Sequence, residues 1–334
     1  MHGLSELGIS GKVLTQNHAN SRLGTLDVKR FEIQSLADPK ESYMEALKRL
    51  GEETQGLIFH PTYYSKNHAS IREPRTKMVV TVFDMISELF PEKKPRFRKV
   101  IDEKRISVDN ADHILSISGQ TKDDLINIYG VPAEKISVTY LGSNLHLLPE
   151  KDLGTLTQSE YILYVGKRGG YKNFLKFVTA YSYSKSLKSS FSVVAVGGGG
   201  FTPNEIADLQ KLGIAGKVSQ VGANDHQLAM YYRNAACLVY PSLYEGFGLP
   251  PVEAMSLNCA VIASTGGSIP EICKDAAEYF DPSAIDSIEQ VLSATLADEQ
   301  RIHQMRQSGL VVAESFTWGK TASATLNAYK KLVG

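Results

Sequence analysis

The sequence predicts an α/β protein built from two doubly wound domains, and three observations carry that expectation. Short apolar runs of β type alternate with longer helical stretches, the pattern of parallel sheets covered on both faces. A polar segment carrying Pro and Gly, 145–158, separates two such series. The length, 334 residues, exceeds the roughly 100–200 residues of one ordinary domain. The division is expected as 1–148 and 149–334, with the last helix able to pack back on the first domain. Folds of this class bind ligands at the carboxyl ends of their strands, and two of them facing each other make a cleft.

In the first series, strands are expected at 57–60, 77–83, 113–118 and 136–140, and helices at 40–50 and 121–129. Ser118 or Gln120 caps the second helix, with Asp123 and Asp124 in its first turn, where carboxylates complement the helix dipole. The second series is clearer. Strands fall at 161–165, 191–196, 217–221, 236–240 and 260–263, and helices at 173–186, 203–213, 225–235, 250–257 and 284–298.

Composition narrows the function classes. The hydrophobic fraction is 43% and the charged fraction 22%, ordinary globular values that exclude disordered and collagen-like chains. Lys+Arg balances Asp+Glu at 36 each, so no global basic field is available to hold nucleic acid. Cys237, Cys259 and Cys273 are odd in number and lack metal-ligand spacing. They read as buried free thiols in a reducing compartment. No signal-peptide order and no run of ~18 apolar residues occurs. The expected location is cytoplasmic. Residues 92–105 hold seven basic and three acidic side chains. They read as a solvated helix face or, through 93–105, as a peripheral contact for an anionic membrane.

The chemistry is concentrated in three loops. In Tyr240-Pro-Ser-Leu-Tyr-Glu-Gly-Phe-Gly-Leu-Pro-Pro-Val-Glu-Ala-Met255, a strand runs into a loop and then a helix. Pro250 and Pro251 stand at the helix start, where proline is tolerated. Glu245 lies in the loop and Glu253 in the first helical turn. Gly246 and Gly248 allow close backbone approach, and the amides around Phe247 and Leu249 suit an anion or sugar hydroxyls. Two carboxylates flanking such a nest suit a polyol that also carries phosphate. The second loop is Val165-Gly-Lys-Arg-Gly-Gly-Tyr-Lys-Asn173, a glycine-rich turn without Walker spacing. Here Gly166 opens the turn, and Arg168 and Lys172 supply positive charge for phosphate oxygens. The third is Val196-Gly-Gly-Gly-Gly-Phe201, with Gly198 at its centre. Gly222, Tyr240 and Ser242 end neighbouring strands in comparable places.

The Glu245–Glu253 spacing with its context resembles the E-x7-E signature of retaining GT-B glycosyltransferases of family 4. The resemblance covers about 57–334 and includes Ala260-Val-Ile-Ala-Ser-Thr-Gly-Gly-Ser-Ile-Pro-Glu-Ile272. It implies transfer of a hexosyl unit from a nucleoside diphosphate sugar, such as GDP-mannose or a UDP-hexose. The expected acceptor is a saccharide or lipid-linked saccharide in surface polysaccharide synthesis. It further implies retention at the anomeric carbon, with no cofactor and no metal ion. By the same resemblance Glu245 holds the donor sugar, Glu253 the ribose, and Lys172 the diphosphate. Arg168 joins Lys172 there, with Lys167 as the rival first cation, and Asn173 follows them. Loops such as those at Gly198 and Gly222 surround the base in relatives.

Acceptor-side candidates lie in the first domain. His60 and Asp84 end strands, and Ser118 and Thr121 open a helix. Many relatives carry His-Asp where this chain has Phe83-Asp84, and a phenyl ring cannot donate the imidazole hydrogen bond. Asp84 is left to position hydroxyls. Relatives also begin with a strand, glycine-rich loop and long helix. Residues 4–20 read as the end of that helix and the strand after it, which implies a missing piece of about 25–30 residues. Two other readings remain: a degenerate sugar-nucleotide-binding subunit, favoured slightly by Phe83, and a nucleotide-sugar epimerase of the same fold.

Overall fold

A computed structural model of the chain describes residues 11–15, 31–35, 57–61, 63–67, 76–91, 95–145 and 160–333. The chain divides into two compact units: Met1–Tyr140 with Trp318–Gly334, and Leu141–Thr317. The expected helix at 40–50, most of the separating segment 145–158 and the 148/149 boundary lie outside the described residues, as do 4–10 and 16–20.

Among the described residues, the first unit contains two parallel sheets. Strands β1 (Gly11–Thr15) and β2 (Phe31–Ser35) pair in one. β1 falls inside the stretch read as helix end and strand, while β2 was not anticipated. The other sheet has the order β3 (Leu57–Phe59), β4 (Thr76–Val82), β5 (His113–Ser116) and β6 (Ile136–Val138). Each was expected, within one or two residues at either end. Helix α1 (Ile86–Leu89) follows β4 directly, α2 (Pro95–Asn110) leads into β5, and α3 (Gly119–Tyr129) leads into β6. Ser118 caps α3, its side chain accepting from the Thr121 amide. The helix begins two residues earlier than expected, so Asp123 and Asp124 stand past its first turn.

Among the described residues, the second unit is built on one six-stranded parallel sheet. Its strands are β7 (Tyr161–Val165), β8 (Ser192–Val196), β9 (Val218–Val221), β10 (Cys237–Tyr240), β11 (Ala260–Ser264) and β12 (Ala277–Phe280). The helices are α4 (Phe174–Tyr183), α5 (Lys185–Ser190), α6 (Pro203–Lys211), α7 (Asp225–Asn234), α8 (Leu249–Ser256), α9 (Ile269–Cys273), α10 (Ile285–Leu296) and α11 (Glu299–Ala313). The single helix expected over 173–186 is broken at Ser184, which leaves the helical region and caps α5. Strand order is β12-β11-β10-β7-β8-β9. Winding runs outward in both directions from the β7/β10 pair. At such a reversal, loops at the strand carboxyl ends diverge and leave room for a ligand. The four inner strands, β11, β10, β7 and β8, are almost wholly apolar because both faces are covered, whereas the edge strands β9 and β12 carry Ser219, Gln220 and Glu278. Ile162, Val193, Val239 and Ile262 pack with Phe177, Tyr181 and Leu292 in one buried cluster.

The final helix, α12 (Trp318–Val333), belongs to the first unit. Ala328 is buried with Val79 and Leu115, and Tyr329 and Leu332 pack at the edge of that cluster. His60 fastens the arrangement. Its Nδ1 lies 2.5 Å from the Tyr329 hydroxyl and its Nε2 2.8 Å from Thr81 Oγ1. Burial lowers the imidazole pKa from 6.5 to about 4, so the ring is neutral in the fold. A group depressed on folding contributes stability above its unfolded pKa and loses it as pH falls through the folded one. The parent should therefore exceed His60→Gln in stability by about 1–3 kcal/mol at pH 8. That advantage should vanish between pH 6.5 and about 4, as read by thermal unfolding of both proteins across the range.

Candidate active site

The site is assembled within the second unit by the loops after β7 and β10, the two strands flanking the reversal. Gly166 leaves β7 at φ 132°, its amide donating to the Val196 carbonyl at 2.9 Å. The chain then makes a tight turn and enters α4 through Asn173 at φ 59°. The Asn173 side-chain nitrogen donates to the carbonyls of Pro241, at 3.1 Å, and Pro282, at 2.9 Å. The Leu243 amide donates to the Tyr171 carbonyl at 2.7 Å. The two loops are thus laced together through backbone, and Asn173 acts as their tie.

That lacing brings the two principal sequence candidates into contact. Lys172 Nζ lies 2.6 Å from Glu245 Oε1, with both side chains largely buried. The ammonium also stands 5.2 Å from the Tyr171 ring centroid and 5.7 Å from that of Tyr240. Such cation–aromatic contacts offset part of the desolvation cost. The buried Tyr240 hydroxyl donates to Glu245, and burial followed by the Glu245 charge pushes that phenol well above its ordinary pKa. Glu245 is therefore an acceptor held by two donors from two strands' ends.

Glycines behind the loop set its position. Backbone around Glu245 rests on Gly266-Gly267-Ser268, the segment after β11. A Cβ on Gly267 would meet Glu245 O at 2.6 Å and Glu245 N at 2.7 Å, and one on Gly266 would run into the Leu243 carbonyl. Ser268 Oγ donates to the carbonyls of Glu245 at 3.0 Å and Phe247 at 2.8 Å. Ser264 Oγ donates to the Ser242 carbonyl at 2.5 Å, while the buried Ser242 hydroxyl has no partner among the described residues. Phe247 is buried edge-on against Phe316 at 5.5 Å. Gly248, at φ 107°, turns the chain into α8, whose first residue is Leu249. Glu253 consequently lies a turn into the helix and not within its first turn, because Gly248 caps the helix ahead of both prolines. Its Oε2 accepts from the Tyr232 hydroxyl of α7 at 2.9 Å. Burial raises the Glu253 pKa, the Tyr232 bond opposes that, and Asp225 reinforces it.

Other candidates are placed differently from expectation. Arg168, expected to face phosphate, is buried with its Nε 2.7 Å from Glu205 Oε1. Its Nη1 and Nη2 donate to the carbonyls of Gly197, Gly199 and Gly200. The neighbouring Lys167 is exposed, and its carbonyl accepts from the Tyr164 hydroxyl. Gly222 is exposed and a Cβ there would meet nothing within 4 Å. In the first unit both His60 ring nitrogens are engaged, and Ser118 is fully buried as a helix cap. Both side chains are thus engaged within the fold, Ser118 in the capping role the sequence predicts for it.

Phe83 and Asp84, by contrast, follow the end of β4 near the surface, Phe83 being 40% exposed. Asp84 Oδ1 accepts from the Ile86 amide at 2.9 Å, opening α1. The buried Lys104 donates to the Asp84 carbonyl and to Glu88 Oε2, each at 2.8 Å. Lys104 is thus removed from the exposed charge expected of 93–105, and Arg105 is paired with Asp109. Arg98 and Lys99 are exposed, while 93 and 94 lie outside the described residues. Sequence reasoning missed Tyr232 and Glu205, and read Lys104 as surface charge. Only Glu205 had a local signal, the Thr202-x-x-Glu205 capping box.

Residues 150–310 match the family described as Glycosyl transferases group 1. O-antigen chain mannosyltransferase B of Escherichia coli is 30% identical over 290 residues, 82% of this chain and 74% of that protein. O-antigen chain mannosyltransferase RfbU of Salmonella typhimurium is 31% identical over 229 residues, 64% of this chain and 62% of that protein. Among solved structures, Anabaena Alr3699/HepE in complex with UDP and glucose aligns with a TM-score of 0.72 at 15% identity. That alignment covers 97% of this chain and 91% of the other, which shows a shared GT-B fold.

The glycine contacts define a stability test. Gly267→Ala should destabilise the protein by about 2 kcal/mol or more, since backbone must move to admit the methyl group. Gly222→Ala should change stability by less than about 0.5 kcal/mol. Urea unfolding of the two variants beside the parent measures both.

Proposed function

The chain belongs to the group 1 glycosyl transferases, and from that premise we propose that it moves a hexosyl unit, mannose foremost, from a nucleoside diphosphate sugar to a saccharide or lipid-linked saccharide. The relatives named as O-antigen chain mannosyltransferases support the sugar and the place in surface polysaccharide synthesis. GDP-mannose is the leading donor, with UDP-hexoses next.

One observation carries the chemical reading: Lys172 and Glu245 touch at the β7/β10 reversal. A cation there can take the diphosphate, and a carboxylate beside it can accept hydrogen bonds from sugar hydroxyls. In the donor-free site the two neutralise each other. With donor bound, the diphosphate shares the ammonium and Glu245 turns part of its acceptor capacity to the sugar. As the glycosidic bond to phosphate breaks, negative charge grows on the leaving oxygen. Lys172 is preorganised to stabilise it, which is where electrostatic catalysis has most effect. The exposed Lys167 adds a second positive charge near the turn. Glu253, held by Tyr232, is assigned to the ribose hydroxyls.

The reaction is proposed as retaining. The acceptor hydroxyl attacks on the face the leaving phosphate departs from, and that phosphate takes the proton. The cations and loop amides supply the positive charge, so no divalent ion is assigned to the leaving group. On the first unit, Asp84 is assigned to acceptor hydroxyls, with Phe83 beside it. Arg98 and Lys99 of α2 are exposed cations assigned to peripheral contact with an anionic membrane.

Turnover of nucleoside diphosphate hexoses with saccharide acceptors tests the assignment. Lys172→Ala should lower turnover by more than about tenfold. Glu253→Ala should raise the donor KM while circular dichroism shows the fold intact. If both variants turn over donor like the parent, the site is wrongly placed.

A further inference from the structure

Arg168 belongs to the phosphate-binding turn in sequence but is occupied elsewhere in space. Its guanidinium bridges two loops. Nε donates to Glu205 Oε1 at 2.7 Å and Nη2 reaches Glu205 Oε2 at 3.3 Å. Nη1 donates to the Gly197 carbonyl at 2.9 Å, and Nη2 to the carbonyls of Gly199 and Gly200 at 3.0 Å each. The guanidinium carbon, Cζ, lies 4.8 Å from the Phe201 ring centroid. Glu205 is fixed in turn, because its carboxylate accepts from the Thr202 amide and hydroxyl at the start of α6. Burial alone would raise the Glu205 pKa, but the Arg168 and Thr202 hydrogen bonds outweigh it and hold the carboxyl below its ordinary value.

The consequence lies on the other side of the loop. Every peptide bond here is trans, and a trans peptide directs its carbonyl and its N–H oppositely. Three carbonyls converge on one cation, so the amides of the same three peptide planes point away from it. Those amides belong to Gly198, Gly200 and Phe201. None has a hydrogen-bond partner among the described residues, and Gly198 and Gly200 are exposed. Gly197, Gly198 and Gly199 hold φ of 88°, 73° and 74°, a left-handed run open to glycine at little cost. The loop also abuts the phosphate turn. A Cβ on Gly198 would meet Arg168 Nη1 at 2.8 Å, Gly166 O at 3.1 Å and Lys167 Cα at 3.4 Å.

We infer that Arg168 is a positioning residue: with Glu205 it sets the 197–201 loop so that the amides of Gly198, Gly200 and Phe201 donate to oxygen acceptors of the nucleoside diphosphate, and it does not itself ligate phosphate. This rests on the reading that the second unit binds a nucleoside diphosphate sugar, and it assigns within that site which groups touch the nucleotide. The two possible roles of Arg168 give opposite signs when Glu205 is neutralised. A phosphate ligand restrained by Glu205 would be released, and binding would tighten. A positioning residue would lose its anchor, and binding would weaken.

Isothermal titration of GDP, UDP and ADP into the full chain decides between them. For the nucleotide the parent binds, Glu205→Gln should weaken affinity roughly three- to tenfold, the size of one or two modest hydrogen bonds. Arg168→Lys should weaken it similarly, since an ammonium cannot bridge the carboxylate and three carbonyls. In turnover, Glu205→Gln should raise the donor KM by a like factor with kcat within about twofold, a split that general loosening of the unit would not give. If Glu205→Gln does not fold, Gly198→Ala reads the same loop with both charges kept and should weaken binding likewise. Parental or tighter affinity in the folded variant overturns the inference alone. A parent that binds none of the three nucleotides overturns the functional reading and the inference with it.

Discussion

A largely buried ion pair at a topological reversal organises the second unit. Lys172 and Glu245 come from opposite sides of the β7/β10 line, and neither loop alone could hold its charge there. A buried carboxylate or ammonium without a partner costs several kcal/mol. Here each has further support, Glu245 from the Tyr240 hydroxyl and Lys172 from two aromatic faces. The backbone ties through Asn173 and Leu243 and the glycine floor at 266–267 all act to keep those two charges at one distance. The same electrostatic tension makes the pair receptive. A ligand that brings its own phosphates and hydroxyls offers each partner a substitute for the other.

The two carboxylates of the motif occupy unlike surroundings. Glu245 is balanced by a cation, whereas Glu253 sits on a helix with a phenol as its donor and burial raising its pKa. A neutral donor leaves an acceptor free to recognise hydroxyl groups without competing for phosphate. A cation-paired carboxylate belongs next to the charged part of a ligand. Eight residues of sequence thus separate two chemically distinct acceptors, and the turn at Gly248 sets that distinction.

Much of this was legible in the chain before any coordinates. Parallel-sheet architecture followed from continuous apolar strands, and the motif order pointed to the two loops that the fold ties together. What could not be read is where distance in sequence hides proximity. Arg168 was the candidate for the phosphate with Lys167 as its rival, and Glu205, 37 residues on, together with the carbonyls of Gly197, Gly199 and Gly200, draws Arg168 inward. His60 read as either a satisfied strand-end histidine or an acceptor-side residue, and Thr81 and Tyr329, which claim both nitrogens, agree with the first. Lys104 looked like one cation in a basic helix face, yet Glu88 and the Asp84 carbonyl take it into the interior. Helix starts were misplaced at α3 and α8 for a local reason. A serine cap and a left-handed glycine each begin the helix before the residues whose charge and proline had marked it.

The return of α12 to the first unit has a temporal meaning. Tyr329 and His60 are 269 residues apart in sequence, yet they close one small hydrogen-bonded cluster. On the ribosome the second unit is contiguous and emerges whole, whereas the first must wait for the helix that seals it. Domains generally form as they are synthesised, at about 5–20 residues per second. The half that is translated first is therefore the half that matures last. During that interval, a sheet with its covering helix still unmade has to remain shielded from other chains.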